Sequence, residues 1–526
     1  MKPLGINSPE VEAVIRRCLV KDPGERYQNG EALHRALREL QPSPRTSSTE
    51  TPAAPSGMPR VAVLPLKTRT GDAELEAFGE DLTEEITAGL SQFRHLIVVS
   101  ASAAARFKGP ADLAEVGRQL DARFLLEESA RKTGSSIRVS VQLVDARTGA
   151  HLWAERFDRD LSTSDIFTAQ DELTDRIVAT VADPFGVLTR SLSALVKAKP
   201  IDTLTAQDCV LRTFAYWQQV RPDEHAELRT ALDQALQQEP DHAEALACLS
   251  RVYLDEFRFD FNARPDALDR ALRTAQRAVE LDPTSQLAYR ALAEAHYFRR
   301  ELGAFGPAAD RVLALNPRDT SNVGMIGSLI AMAGDWPRGC SVVQKVMQLN
   351  PHHAGWLHFV FVDDHYRKGD YEQALEAAEK IKMPGHLWES AALAMINAQL
   401  GRTEVARKHL KTFTELAPDV ARNLRAEFSK WYFSEEFVEH LVDGLRKAGL
   451  EVESDGKTPA AGPAAPTVAA PAESSEVPRV TVLPLKTRTS DAELESFAEG
   501  LTEEITAGLS QFRHLVVVSA SAAAGF

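Results

Sequence analysis

The pattern of apolar and polar positions divides the chain into a mixed α/β part and a long helical part. Residues 59–190 begin with RVAVLPL, which alternates as a strand does, and continue with DAELEAFGEDLTEEITAGLSQF. This second stretch carries an apolar residue about every 3.6 positions, which is typical of an amphipathic helix. Over the rest of this stretch, to residue 190, the spacing of apolar residues predicts the order β-α-β-α-β-β-β-α. We therefore expect an α/β domain over 59–190.

From residue 205 onwards the pattern is helical and repeats at a fixed distance. Five prolines lie 34, 34, 33 and 34 residues apart, namely Pro283, Pro317, Pro351, Pro384 and Pro418. A helical hairpin of about 34 residues that ends near a proline resembles the tetratricopeptide repeat (TPR). The resemblance implies an all-α TPR solenoid of about six repeats over 205–418, with 419–450 as a capping helix.

One repeat carries about nine extra residues, at 255–265 (DEFRFDFNARP). Three Phe and two Arg on a solenoid edge are compatible with a contact site for a partner. An insert of this kind also packs readily on its own neighbouring repeat. The sequence leaves both interpretations open.

Two segments rich in Pro, Ala, Ser and Thr, at 42–58 and 451–476, interrupt the globular composition. Such segments bury too little apolar surface to offset their ordering entropy, so they are predicted to be linkers. After the second linker, 477–526 repeats 58–107 with eight differences in 50 positions. It is therefore a truncated second copy of the start of the α/β domain. We expect it either to stay mobile or to replace 58–107 in the first sheet, which would give domain-swapped self-association.

The α/β domain resembles the family named after the amino-terminal region of TolB. The resemblance rests on VAVLPL, EDLTEEITAGLSQF and VQLVDARTGAHLWAERFDRD, which occur in the family's order and spacing. That family has no established catalytic residues. In bacteria its members commonly lie between a signalling catalytic domain and TPR repeats, which implies a signalling role here.

Residues 1–41 resemble the last helices of a bacterial Ser/Thr protein kinase domain. The motif residues are Leu19, Asp22, Pro23, Arg26 and Tyr27. The sequence lacks the Gly-rich loop, the strand lysine, the HRD-type catalytic loop and the DFG metal ligand that phosphoryl transfer requires. The segment is thus predicted to be a short helical kinase remnant, and the chain is not expected to be an active kinase.

Charge and composition exclude several other classes of function. The chain has 60 Lys and Arg against 75 Asp and Glu, a net charge of −15, which opposes binding to nucleic acid or to an anionic membrane. Its apolar runs are shorter than the ~18 residues of a membrane span, and its N-terminus does not resemble a signal peptide. We therefore expect a cytoplasmic protein. Its four cysteines form no CxxC pair, so neither a zinc site nor a disulfide framework is predicted.

Individual residues offer little chemistry. Glu84 and Glu85 are interpreted as the acidic start of the first helix, where they complement the helix dipole. His95 and His151 are interpreted as surface histidines, because each lacks metal-ligating neighbours at suitable spacing. Nucleotide, zinc-protease and serine-hydrolase motifs do not occur in the sequence. Hence we predict no catalytic, cofactor-binding or metal-binding residues.

The concave groove of the solenoid is the predicted binding site for a protein or peptide partner, because the first helix of each hairpin forms its wall. Ten residues are predicted to face the groove: Glu244, Arg251, Asp255, Arg290, Glu294, Tyr297, Trp356, Asp363, Tyr366 and Arg367. Most of these positions are equally compatible with solvated polar side chains.

The sequence thus predicts a non-catalytic intracellular signalling scaffold that binds partner proteins through TPR repeats. One alternative is a fragment of a Ser/Thr kinase or adenylate cyclase protein whose catalytic domain lies outside this chain. Another is a cell-envelope assembly protein. The sequence does not identify the partner, the signal that is sensed, the oligomeric state or whether the chain is a whole gene product.

We predict that the purified chain transfers no phosphate from ATP to itself or to a generic substrate, because the residues that bind and orient ATP are missing. Incorporation of labelled phosphate measures this, with a purified active Ser/Thr kinase as the positive control. Phosphate transfer that is abolished by a substitution within 1–41 would contradict the prediction.

Overall fold

The computed structural model describes residues 58–451, apart from 69–72, 109–111, 161, 163–165, 219, 352 and 384, together with 479–481 and 516–518. The predicted kinase remnant at 1–41, both linkers and most of the second copy lie outside the described residues. The α/β domain and the helical region that follows it belong to one compact unit.

A mixed sheet forms the centre of the α/β domain. Its strands are β1 (Arg60–Val63), β2 (Lys67–Thr68), β3 (Ile97–Val98), β4 (Phe124–Thr133), β5 (Ser136–Asp145) and β6 (Ala150–Asp160). Their order is β3-β1-β4-β5-β6, and β2 also pairs with β4. Strand β1 is parallel to β3 and β4, whereas β4, β5 and β6 form an antiparallel meander.

Helices cover both faces of this sheet. They are α1 (Ala73–Leu90), α2 (Ala101–Ala104), α3 (Leu113–Leu120) and α4 (Ile166–Ala182). Because side chains alternate along a strand, Val61 and Val63 belong to the core beneath α1 and α4, while Ala62 and Leu64 belong to the core beneath α3. The main elements follow the predicted order, and the short β2 and α2 are additional.

Two predictions for single residues in this domain are wrong. Helix α1 begins at Ala73, so Glu84 and Glu85 lie in its middle, because the buried apolar series already starts at Leu75. His95 is only 4% exposed, and its Nε2 lies 3.2 Å from the Thr189 hydroxyl. Burial lowers the pKa of His95 to about 4, so this ring is a neutral core group and not a surface histidine.

Helix α5 (Val187–Lys197) leads into the helical region. Among the described residues, six helical hairpins follow: α6 (Ala206–Tyr216) with α7 (Pro222–Gln238), α8 (Ala243–Arg258) with α9 (Ala267–Leu281), α10 (Gln286–Phe298) with α11 (Leu302–Leu315), α12 (Thr320–Met332) with α13 (Trp336–Leu349), α14 (Phe359–Lys368) with α15 (Tyr371–Ala378), and α16 (Leu387–Gln399) with α17 (Thr403–Leu416). This region is TPR-like.

Small residues let the two helices of a hairpin approach closely. A Cβ atom added at Gly327 of α12 would lie 2.8 Å from a Val342 methyl group of α13, closer than such atoms approach in folded proteins. The turns between helices also need glycine, as at Gly369, whose φ of 82° ends α14 in the left-handed region.

The insert at 255–265 packs on its neighbouring hairpin. The Asn262 side chain donates a hydrogen bond of 2.8 Å to the Pro222 carbonyl, and the Asn262 backbone carbonyl accepts one of 3.0 Å from Arg229. Of the two interpretations of the insert, this arrangement corresponds to packing within the chain.

The segment expected to be a single capping helix contains three helices. They are α18 (Pro418–Arg422), α19 (Leu424–Ser429) and α20 (Glu435–Ala448). Tyr432 has a φ of 66°, which a helix cannot accommodate, so the chain turns between α19 and α20. The longest of the three, α20, packs on α16 through Leu441 and Leu445, next to Met395.

A buried aspartate joins the α/β domain to the solenoid. Asp183 follows α4, and its carboxylate accepts hydrogen bonds from the Thr320 hydroxyl at 2.7 Å and the Ser321 amide at 2.9 Å. These donors lie in the first turn of α12, where a carboxylate also complements the helix dipole. The joint fixes the end of α4 against the fourth hairpin.

The second copy repeats the strand pairing of the first. Strand β7 (Arg479–Thr481) is parallel to β8 (Val516–Val518), with Arg479 opposite Val516. In the first copy Arg60 is opposite Ile97, the same register 419 residues earlier. Strands β1 and β3 keep their places in the first sheet, and strand exchange through 477–526 stays a prediction.

We expect Gly327→Val to lower the free energy of unfolding by about 1–3 kcal/mol, because the added methyl groups overpack the crossing of α12 and α13. Gly303→Ala in α11 is the matched control, since a Cβ atom there meets nothing within 4 Å. Urea denaturation measures both. Equal effects of the two substitutions would contradict the importance of the close helix crossing.

Candidate functional site

A cavity of about 210 Å³ lies on the side of the solenoid formed by the first helices of the hairpins. Its apolar wall includes four methionines and four tryptophans: Met325, Met332, Met383, Met395, Trp217, Trp356, Trp388 and Trp431. Methionine side chains are unbranched and adapt to irregular shapes, so a wall rich in them accepts flexible apolar groups.

A charged cluster forms one end of the cavity. The Glu294 carboxylate on α10 lies 3.0 Å from Arg251 Nε and 2.7 Å from Arg290 Nε. All three side chains are buried. Burial by itself would raise the pKa of Glu294, but the two guanidinium groups outweigh it and hold the pKa at about 2. The carboxylate is therefore ionised at every physiological pH.

Trp217, which follows α6, covers this cluster. The guanidinium carbon of Arg251 lies 3.6 Å from the centroid of the Trp217 ring, and that of Arg290 lies 5.1 Å away. A cation over an indole face in a desolvated site is attracted to the ring's electrons. The stack places the tryptophan and both arginines at the same end of the cavity.

A second ion pair lies one helical turn further along α8. Asp255 accepts a hydrogen bond of 3.0 Å from the Tyr216 hydroxyl and lies 3.3 Å from Arg258. Burial raises the pKa of Asp255, and the neighbouring arginines oppose the rise. The Arg258 guanidinium also lies 5.0 Å from the ring centroid of Trp431.

Three buried N–H groups at this end have no hydrogen-bond acceptor among the described residues. They are Trp217 Nε1, Arg251 Nη1 and Arg258 Nε. All three residues line the cavity. A buried donor without an acceptor costs about 1–3 kcal/mol, so these groups are available to an acceptor inside the cavity.

The segment 428–433 (FSKWYF), here called the closing segment, crosses the concave side. Trp431 accepts a hydrogen bond at its carbonyl from the Tyr297 hydroxyl, and its ring lies edge-on to Phe298 at 5.6 Å. The Ser429 carbonyl accepts from Arg300 at 2.6 Å. Phe428, Trp431 and Phe433 line the cavity together with Phe185, which belongs to the loop after α4. The concave side is therefore partly filled by the chain itself.

The other end of the cavity contains Asp363 and Tyr366 from α14. Burial, reinforced by the neighbouring Asp364, raises the pKa of Asp363 to about 7. The Tyr366 hydroxyl donates to the His440 carbonyl at 3.3 Å and accepts from Gln399 at 3.1 Å. Tyr366 therefore ties α14 to α16 and α20.

Six of the ten predicted groove residues line the cavity: Arg251, Asp255, Arg290, Trp356, Asp363 and Tyr366. Glu294 lies among them as the shared partner of two arginines. The remaining three occupy other positions. Glu244 accepts a hydrogen bond from Ser285, Tyr297 is a core residue, and Arg367 is exposed and pairs with Asp364.

Sequence reasoning missed Trp217, Phe185 and the closing segment, and it included Arg258 only as part of the insert at 255–265. The concentration of aromatic residues in FSKWYF was the available signal, because a solvated cap does not need four aromatic side chains in six positions. Trp217 carries no comparable signal.

The described residues contain no group of three or more His, Cys, Asp or Glu side chains arranged to hold a metal ion. None of their helices is both long and apolar enough to span a bilayer.

Comparison with known families matches residues 58–176 to the family described as "HilA/YgeH-like transcriptional regulator, second domain". Among curated proteins, the Rhizobium meliloti (strain 1021) protein named "Putative adenylate cyclase 3" is 34% identical over 261 residues. That match covers 49% of this chain and 44% of the relative. The chain therefore spans less than half the length of the relative.

Two solved structures are similar to parts of this chain. One is "YrrB: a TPR protein with an unusual peptide-binding site", with 18% identity over 38% of this chain and 98% of that one, and a TM-score of 0.25. The other is the human IFIT1 dimer with m7Gppp-AAAA, with 13% identity over 49% of this chain and 63% of that one, and a TM-score of 0.37.

We expect Glu294→Gln to lower the free energy of unfolding at pH 7 by about 3–5 kcal/mol, because it leaves two buried guanidinium groups without their anion. The folded-state pKa of about 2 lies below the ordinary value of 4.5. The stabilisation is therefore complete above pH 4.5 and is lost as the pH falls towards 2. The difference between wild type and variant should shrink over this interval.

The matched control is Glu404→Gln, which removes a carboxylate that is 90% exposed and paired with Arg407 on the surface. Its effect on stability should be near zero at every pH, because exposed ion pairs contribute little. Chemical denaturation between pH 2.5 and 7 measures both variants. If the difference in free energy of unfolding between wild type and Glu294→Gln stays constant across this range, Glu294 is not the ionised partner of the two arginines.

Proposed function

We propose that the chain is a non-catalytic intracellular signalling scaffold whose TPR-like solenoid binds a partner protein on its concave side. The observation that carries this proposal is the closing segment itself. Aromatic side chains from 428–433 pack on α8 and α10, helices that precede them by well over a hundred residues. A surface that accepts this segment within the chain is suited to a similar segment from a partner.

The chemistry of the cavity indicates what such a partner would present. Apolar and aromatic side chains dominate the wall, and charged groups are confined to a few positions on α8, α10 and α14. A segment with two or three large aromatic or aliphatic residues would bury them in this wall, and buried aromatic anchors dominate many interfaces. The partner segment would take the place of the closing segment.

A second candidate function is favoured by the match to the Rhizobium meliloti relative, which covers 44% of that protein. Under this alternative, the chain is the non-catalytic part of an adenylate cyclase, and cyclisation of ATP would occur in a domain outside it. One test separates the two candidates. If a catalytic domain is encoded beside this chain, joining the two should give a protein that cyclises ATP only under the second candidate.

We expect a fluorescent peptide of residues 424–436 to bind the double variant Phe428→Ala/Trp431→Ala at least about tenfold more tightly than the wild-type chain. The wild-type closing segment competes with the peptide, and the variant segment has lost the two aromatic contacts that hold it. Fluorescence anisotropy measures binding, and circular dichroism during thermal unfolding checks that the variant is folded.

Two controls make this test specific. The same peptide with Ala in place of Trp431 should bind the double variant at least about tenfold more weakly, because the anchor is missing. Adding Met332→Lys to the double variant should also remove binding, since a buried lysine opposes an apolar ligand. Equal binding of the peptide to wild type and variant, or insensitivity to both controls, would contradict a binding site on the concave side.

A further inference from the structure

The cavity retains about 210 Å³ with the closing segment in place. For comparison, an apolar protein cavity of roughly 150 Å³ is known to take up benzene. The space lies between α8, α10, α12, α14 and α16 on one side and Phe428, Trp431 and Phe433 on the other. It therefore has the dimensions of a small-molecule site that is independent of any partner segment.

The polar end of this space is rich in guanidinium groups. Those of Arg251, Arg258 and Arg290 lie beside the carboxylates of Asp255 and Glu294. The carboxyl groups of Asp183 and Asp319 also lie near Arg290, and burial raises the pKa of both. Arg251 and Arg258 are the two arginines at this end that keep an N–H group without an acceptor among the described residues.

Two of the unpartnered donors belong to side chains that touch each other. Arg251 is 4% exposed, and its Nη1 has no acceptor among the described residues, although its Nε is bound to Glu294. Trp217, 9% exposed and stacked on the Arg251 guanidinium, also keeps an unpartnered Nε1. Two buried N–H groups on neighbouring side chains, one of them a guanidinium, form a site for an oxyanion.

Beyond this polar end the wall is apolar. Met325 and Met332 extend from α12, Met383 from the loop before α16, and Trp388 and Met395 from α16. Asp363 is the main acidic group on this side, and burial raises its pKa to about 7. An anionic group would be poorly placed here, whereas an alkyl chain would bury its surface against flexible thioethers.

We infer that the cavity binds a small amphipathic monoanion, a carboxylate carried on a flexible apolar chain. The carboxylate accepts hydrogen bonds from Arg251 and Trp217, and the chain lies along the methionines of α12. This inference goes beyond the proposed function, because it assigns the concave side a small-molecule ligand whose binding requires no partner protein.

Calorimetric titration of the full chain with sodium decanoate tests the inference, with decan-1-ol and sodium acetate as comparison ligands. Decanoate should saturate at one molecule per chain. Decanol has the tail without the charge and should bind at least about tenfold more weakly than decanoate. Acetate has the charge without the tail and should not bind at the same concentrations. Equal affinity of decanoate and decanol, or uptake of many molecules per chain, would overturn the inference.

Two variants locate the carboxylate. Arg251→Met removes the guanidinium, and it should abolish the preference for decanoate over decanol. Arg251 also pairs with Glu294, so its loss affects folding as well as binding. Trp217→Phe therefore provides the second measurement. It keeps an aromatic ring on Arg251 and removes only the indole N–H. This variant should lower the affinity for decanoate several-fold and leave the affinity for decanol unchanged.

Two further variants complete the design. Met332→Trp narrows the apolar part of the cavity and should lower the affinities for decanoate and for decanol to a similar extent. Phe167→Ala changes a side chain on α4 that is 70% exposed, and it should change the affinity for neither ligand. If Trp217→Phe and Met332→Trp both bind decanoate as the wild type does in a folded protein, the ligand lies elsewhere and the inference is wrong.

Discussion

The return of the closing segment across the concave side is the contact on which the rest of the site depends. The Tyr297 hydroxyl and the Trp431 carbonyl that it binds are 134 positions apart in the chain, and Lys430 pairs with Asp260 across 170 positions. Contacts this distant are unusual for a solenoid, in which each repeat mainly touches its neighbours. They cover part of the groove and leave a cavity of about 210 Å³.

Enclosure explains the charged cluster as well. An arginine and a glutamate on an open TPR surface would exchange with water and contribute little to stability. Behind Trp217 and the closing segment, the same side chains lie in a medium of lower polarity, where Glu294 is held between two guanidinium groups and the indole covers them. The few charges that remain inside are therefore paired, and Arg251 and Arg258 each keep an N–H group without an acceptor among the described residues.

Part of this site could be predicted from the repeat alone, and part could not. The helical register places Arg251, Asp255 and Arg290 on the concave wall, and these residues do line the cavity. The same register also selected Tyr297, whose ring is buried because Tyr432 and Phe305 pack on it. Whether a concave position is solvated, paired or covered depends on a segment more than a hundred residues away, and periodicity carries no information about that segment.

By itself the sequence determined the local and repetitive features: the alternating strands and amphipathic helices of the α/β domain, the 34-residue hairpins and the duplication of 58–107. These follow from backbone geometry and from the apolar spacing that each element needs to bury one face. Only the tertiary structure decided that 419–450 forms three helices, that His95 is a core residue and that the concave side is partly filled by the closing segment. Each of these depends on which distant side chains remove a residue from water, and the free energy of that burial belongs to the pair of surfaces and not to either stretch of sequence.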